Sequence, residues 1–457
     1  MPGEKHSIYW WETEPVVPGP PLEGTERADV CIVGGGYTGM WTAYFLKRAD
    51  PALEVTIVER SWAGSGASGH NDGYAMTVLD MSLHHLVERH GAERAGAAHE
   101  AVARSVVEIG GFCDEHGVEA DYDLCGFAGV GVNDGQMWRL ERDLEAARRI
   151  GAEADFEYFE DQRAREVIGS PIVRGVLKER RGALINPQRL ARGLARVIDE
   201  MGVRVHERSP ATAISSGRVT TERGAVEAER IVVATNAYQH AFDQFKGRVV
   251  PIWSYAMVTE PLTDDQLGRV AWPGREGFED KRNFITIGRL TADNRVVWGG
   301  RLAPYYRGND MDIRHMRNDY VFDQLRGAWS QFFPMWSDVR FTHAYGGCVA
   351  ITGTFLPYVG SLGGGVLYGY GYNGHGVAPS HTVGQTLADL VTGRDSELTN
   401  LVFVDQKESR LPGEPLRYLG TRLTTALLER QDRKMDRGGG GVGEMDPLIL
   451  RVVNRLS

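Results

Sequence analysis

An apolar run, Ala28-Asp29-Val30-Cys31-Ile32-Val33, passes without a spacer into Gly34-Gly35-Gly36-Tyr37-Thr38-Gly39. Such a run, cut off by glycine, reads as a buried parallel strand. The residues through Lys47 read as a helix, and Glu54-Val55-Thr56-Ile57-Val58-Glu59 as the next strand. The unit is therefore β-α-β, and each glycine of Gly34-x-Gly36-x-x-Gly39 has its own reason. The first permits the turn, the second lets backbone approach a pyrophosphate, and the third seats the helix close on the strand. Tyr37 and Thr38 fall where the helix N-terminus offers free N–H groups and a positive dipole end to phosphate. Glu59 stands twenty residues beyond Gly39, where an acid bonds the ribose hydroxyls. A glycine cluster alone can be a plain turn. Strand, turn, helix, strand and acid in register read as a dinucleotide site.

The choice between NAD and FAD rests on Arg60 and the segment Gly64-Ser65-Gly66-Ala67-Ser68-Gly69-His70-Asn71-Asp72-Gly73. Small residues so soon after the second strand suit another pass of backbone along the pyrophosphate and isoalloxazine, which favours FAD. Periodic apolar residues predict helices over 83–112 and 136–150, and Asn186-Pro187 caps a third. Val203-Arg204-Val205 and Ile231-Val232-Val233-Ala234 read as returning strands of the first sheet. Alternating runs near 284–287 and 296–298 read as antiparallel strands. The expected class is α/β with an α+β substrate domain: a discontinuous Rossmann-type FAD-binding domain carrying an inserted, mainly antiparallel sheet. The expected parts are an N-terminal arm (1–27), a cofactor domain (28–80, 150–247 and 343–400), a substrate or cap domain (81–149 and 248–342), and a C-terminal helical extension (401–457). Tyr9, Trp10 and Trp11 should pack the arm onto the body. Gly438–Gly441 reads as a joint before a last short helix.

At 457 residues the chain exceeds what one core usually organises. A formal charge of -10 argues against a nucleic-acid partner. Cys31, Cys113, Cys125 and Cys348 show no CxxC spacing, so they read as reduced thiols, with no metal expected. The opening MPGEKHSIYWWETEP lacks the apolar core of a signal peptide, and no run reaches the length of a membrane span. A cytoplasmic protein without membrane contact is the expectation.

Further segments carry a resemblance. Tyr9-Trp10, ADVCIVGGGYTG, GASGxNxG, ATNAY at Ala234–Tyr238 with Thr235, TEPL at Thr259–Leu262, DNRVVWGGR at Asp293–Arg301, GYNGHGV at Gly371–Val377 and EPLRY at Glu414–Tyr418 occur in order over nearly the whole chain. In this the sequence resembles the D-amino-acid-oxidase-like flavoproteins, and within them the gamma-glutamylputrescine-oxidase-like branch. The resemblance implies extended FAD, with Ser68, Asn71 and Gly73 near the pyrophosphate and ring. Ala211 would bracket the adenine through its backbone. Gly374, His375, Gly376 and Val377 would give amide hydrogens to the pyrimidine end of the flavin, where charge builds on reduction.

Relatives usually read GASGRNGG where this chain has GASGHNDG, so His70 and Asp72 are departures. His70 either bonds a phosphate or carbonyl, or joins covalently to the flavin 8α-methyl. In dimethylglycine-dehydrogenase-like relatives an attaching histidine stands three residues before a glycine, as His70 stands before Gly73. Cys348 is a second attachment candidate, against a reading as a buried thiol.

The implied chemistry is oxidation of an amine C–N bond by hydride transfer to flavin N5, imine hydrolysis, and reoxidation by O2 to hydrogen peroxide. The alternative is a dehydrogenase serving a quinone or carrier protein. A non-catalytic flavin-binding protein is a third reading. Tyr345, His375 and Arg301 are the candidates for catalysis, with Tyr305 and Tyr306 beside them. Each has a plain counterpart in packing or ion pairing. Arg289 or Arg301 on the cavity would suit an amine bearing a carboxylate or phosphonate, and an acidic lining would suit a polyamine.

Overall fold

The Val30–Val33 run is the middle of a strand because both faces of its sheet are covered. Ile32 turns toward one hydrophobic core and Cys31 and Val33 toward another, so no residue of the run meets water. The computed structural model describes residues 4–438. Gly24–Val33 starts four residues earlier than expected and pairs in parallel with Gly224–Val233 and with Val55–Val58. Arg204–His206 extends the sheet beyond Val55–Val58, and Val366–Tyr370 lies in parallel on Gly224–Val233. Tyr358–Gly363 closes that edge antiparallel. The first sheet is thus the Rossmann-type layer, and the fold is the mixed α/β class expected.

Helices Tyr37–Ala49, Pro187–Glu200 and Val377–Thr392 lie in its first core. Asn186 caps Pro187–Glu200 by accepting from the Arg189 N–H, with proline in the first turn. The single helix expected over 83–112 is two, Leu83–His90 and Ala92–His116. Gly91 between them adopts φ +80, which a continuous helix cannot contain. The second of these packs Phe112 against Trp41 at 4.8 Å and bonds Ser105 to Thr382, so it belongs to the layer of the first sheet.

A second eight-stranded sheet runs Phe341–Thr352, Val249–Thr259, Val296–Gly300, Thr286–Leu290, Gly277–Asp280, Phe127–Gly131, Gly175–Glu179, Phe156–Glu160. Its composition differs from the partition read off the sequence. Phe156–Glu160, Gly175–Glu179 and most of Phe341–Thr352, assigned there to the cofactor domain, pair in this sheet instead. Phe127–Gly131 lies parallel to Gly277–Asp280, far away in sequence, and that register fixes the strands on its other side. The arm forms a short helix, Tyr9–Thr13, with Tyr9 and Trp10 buried. Helix Leu416–Asp436 follows the body, and the helix expected after Gly441 falls outside the described residues. Among the described residues no helix is long and apolar enough to cross a membrane.

Candidate active site

The carboxyl end of the first sheet opens into one cavity of about 1200 Å³ that runs on to the second sheet. It begins at the glycine turn. Gly34 takes φ +109, and a Cβ there would sit 2.6 Å from the Ala234 carbonyl oxygen. Gly39 lies off the cavity wall, where a Cβ would meet the Gly34 carbonyl oxygen at 2.0 Å. This glycine sets how closely helix and strand approach. Gly36, Tyr37 and Thr38 line the cavity. The Tyr37 N–H donates to the Ser68 hydroxyl at 2.9 Å, so the second glycine-rich loop caps the helix. Thr38 bonds the Tyr372 hydroxyl.

Glu59 accepts from the Gly35 and Ser61 N–H groups at 2.8 Å each and from Ser65. Burial raises its pKa, and those bonds only partly offset it. Arg60 lies 4.0 Å over the Tyr238 ring on the same wall, beside Ala211, Ala234 and Thr235.

Gly66, Ala67, Ser68, His70, Asn71 and Asp72 also line the cavity. Asn71 spends its side chain on the loop itself, accepting from Gly73 N–H and donating to Ala67 and Ser68 carbonyls. Gly73 is behind the wall, because the Arg289 guanidinium fills the space its Cβ would need. Both His70 ring nitrogens are sealed from solvent, and burial, only partly offset by a hydrogen bond to the Ser65 backbone, holds the imidazole neutral with a pKa of about 4. Cys348 lines the cavity too, its thiol pushed up to about 12 by burial.

At the opposite end Gly374, His375, Gly376 and Val377 reach the wall, while Gly371 does not. The His375 N–H is already spent on the Tyr372 carbonyl, which removes one of the four expected amide donors. Its ring lies between two carboxylates, Nδ1 at 2.9 Å from Asp80 and Nε2 at 3.4 Å from Glu279. Burial opposes the charged ring, but the two acids prevail and raise its pKa to about 10. His375 is therefore a held cation with both nitrogens engaged, in no position to accept a proton. Glu279 also meets Lys281 at 3.0 Å; against burial, Lys281 and His375 keep that carboxyl near a pKa of about 2. Lys281 continues to Asp143, and Asp143 to His84 at 2.7 Å. The sequence reading missed this chain of cavity-lining charges. Its members come from five segments, and only the Glu279-Asp280-Lys281 run in a strand hinted at it.

The remaining candidates separate clearly. Tyr345 is on the wall but only 2% exposed, its hydroxyl sealed from solvent beside Trp10. Arg301 is on the wall with a φ of +62 and an unbonded Nε; burial lowers its pKa and Asp280 partly offsets this. Tyr305 and Tyr306 are not on it: Tyr305 bonds Glu414 and Asn309, and Tyr306 stacks on His315 with ring centroids 3.5 Å apart. Arg289 is not on it either. It is fully buried, donating to the Gly73 and Ile185 carbonyls at 2.6 and 2.7 Å beneath the Trp10 ring.

The model of the DAO family, FAD dependent oxidoreductase, matches residues 29–390, from the first strand through the helix that ends the cofactor wall. The chain belongs to this family. It is 30% identical over 433 residues to gamma-glutamylputrescine oxidoreductase of Escherichia coli, covering 93% of this chain and 98% of that protein. Among solved structures it is similar to glycine oxidase from Geobacillus kaustophilus, with TM-score 0.69 and 19% identity over 83% of this chain and 99% of that one. L-proline dehydrogenase from P. horikoshii gives the same TM-score at 17% identity, over 82% and 96%. Those two likenesses establish the fold.

The cradle fits the cofactor of this family. Its glycine turn leaves backbone bare toward the cavity, and the buried acid Glu59 holds the Gly35 N–H of that turn. This oxidoreductase is FAD-dependent.

Proposed function

We propose that the chain oxidises the C–N bond of a small amine and passes the electrons to O2, giving an imine that water hydrolyses and hydrogen peroxide. The observation that carries this reading is the continuity of one cavity from the glycine turn to Tyr345, Arg301 and the charged far end. Bound FAD supplies a two-electron acceptor, chemistry no side chain here can perform. The protein's part is to bind, orient and dry the amine. Tyr345 brings a buried aromatic ring to the wall. Arg301 brings a guanidinium without an ion pair among the described residues, and it suits an amine that also carries an anionic group. Most carboxylates of the far end are already matched by His375 and Lys281, which disfavours a bare polycation. The name of the E. coli relative supports an amine derivative as substrate.

The test is a screen of amines, with and without carboxylate or phosphonate groups, for peroxide release in air. Reduction without peroxide would point to a quinone or carrier protein as acceptor. The proposal includes the covalent bond from His70 to FAD, supported by the place of that neutral ring on the cavity wall in the second glycine-rich loop. Acid precipitation should leave yellow colour in the pellet, and colour released to the supernatant overturns that part. Cytoplasmic location remains a proposal on the same footing.

A further inference from the structure

Asp72 stands on the cavity wall in the second glycine-rich loop, and its carboxylate has no side-chain hydrogen bond or ion pair among the described residues. His70 and Tyr345 line the same cavity, their polar side-chain atoms sealed from solvent.

The position of Asp72 is built, not incidental. On one side Asn71 takes the Gly73 N–H at 2.8 Å, and Arg289 Nη1 donates to the Gly73 carbonyl at 2.6 Å and more distantly to that of Asp72 at 3.4 Å. The backbone of the loop is thus pinned around Asp72 by a buried guanidinium whose donors go to carbonyls and not to the carboxylate. On the other side His70 Nε2 lies against Gly347, 2.9 Å from where a Cβ would be. Tyr345 precedes Gly347 by two residues on the same strand, so its ring projects from that same face.

Three groups sense the charge of Asp72: Arg289 from Thr286–Leu290, Tyr345 from Phe341–Thr352 and Tyr74 from Tyr74–Ala75. Burial, only partly offset by Arg289, pushes the Asp72 carboxyl up to about 7.

We propose that Asp72 is the residue that receives the substrate amine, accepting a hydrogen bond from its ammonium group and taking one proton from it. This rests on the amine-oxidising reading above. In the step one N–H bond breaks, its electron pair stays on nitrogen, and an O–H bond forms on the carboxylate; nothing is oxidised or reduced. The chemistry favours such a group. An alkylammonium has a pKa of roughly 10 and an ordinary aspartate of roughly 4, so an acid near 7 makes the transfer about a thousandfold less uphill. His70 is no substitute, because burial holds its pKa at about 4 and it would keep the proton less well than Asp72.

The test uses the FAD-loaded protein and a tertiary-alkyl primary amine, which has no α-hydrogen to lose. Calorimetry in buffers of different ionisation enthalpy counts the protons released on binding. The native protein should release about one proton per amine below pH 7 and none above, because ionised Asp72 then keeps the proton. In Asp72→Asn the step should vanish, and kcat/KM at pH 8 should fall by about 10²–10³. Asp72→Glu should keep the step at a displaced pH, which covers the case where the asparagine variant fails to fold. A native protein without the step, or a folded Asp72→Asn variant that retains it, overturns the proposal. Failure of every amine to reduce the native enzyme would instead overturn the functional reading beneath it.

Discussion

Single atoms decide several features of this site. At Gly39 even a methyl group would overlap the Gly34 carbonyl, so Gly39→Ala should push the helix off the strand. Overpacking of this kind costs about 1–3 kcal/mol. The expected outcome is a lower Tm together with reduced FAD content, read from flavin absorbance per protein. Arg289 should matter through carbonyls and not through substrate. Arg289→Met leaves the Gly73 and Ile185 acceptors buried, at about 1–3 kcal/mol each. Such a variant should lose stability even without FAD, which separates this role from substrate binding. For Asp72 the sign is fixed by the direction of its shift. Its folded pKa of about 7 lies above the unfolded value near 4, so the carboxyl lowers stability progressively as pH rises from about 4 to about 7. Asp72→Asn should flatten that part of the pH–Tm curve in cofactor-free protein.

At the scale of elements, the Asp80–His375–Glu279 contact ties the loop before Leu83–His90 and a strand of the second sheet to the turn that opens Val377–Thr392. The His375 pKa of about 10 is above its unfolded value near 6.5. Its stabilisation is complete below about 6.5 and lost as pH rises through about 10. His375→Gln should therefore lower Tm at pH 6 and approach the native protein near pH 10. The β-α-β unit was legible in the sequence because all its determinants are local: an apolar run, a glycine turn and an acid at fixed spacing. The Asn186-Pro187 cap was legible for the same reason. The membership of the second sheet was not, because one partner of Phe127–Gly131, Gly277–Asp280, lies more than a hundred residues away. The break at Gly91 was missed because apolar periodicity continues across it, and only the glycine φ interrupts the helix. Among the residues named from the glycine-rich motifs, Gly34, Gly36 and Gly374 line the cavity, whereas Gly39, Gly73 and Gly371 lie off its wall. His84, Asp143 and Lys281 could not be named from sequence, since their chemistry arises from pairing across the cavity. Arg289 was read from sequence as a cavity arginine for an anionic substrate group, whereas it lies behind the wall as the clamp on Gly73.

Across the whole molecule, the two sheets share one cavity and helix Leu416–Asp436 passes over it, giving Thr421, Thr424, Thr425 and Leu428 to its wall. That helix is held at its ends. Asp432 accepts from the Asn283 and Phe284 N–H groups at 2.9 and 3.1 Å, and Glu414, just before the helix, accepts from Tyr305 and Gly308. Asp432→Ala should release the far end at a cost of about 1–3 kcal/mol. Hydrogen exchange should quicken over 416–436 while Gly24–Val33 stays protected, and KM should rise more than kcat falls. The central claim is that this cavity brings an amine to FAD for oxidation. Its most direct test is to mix the FAD-loaded protein with amines in the absence of oxygen, follow the flavin absorbance, then admit air and measure peroxide. The account predicts that at least one amine bleaches the flavin and that colour returns in air with one peroxide per amine consumed. A fully FAD-loaded protein that no amine bleaches would contradict it.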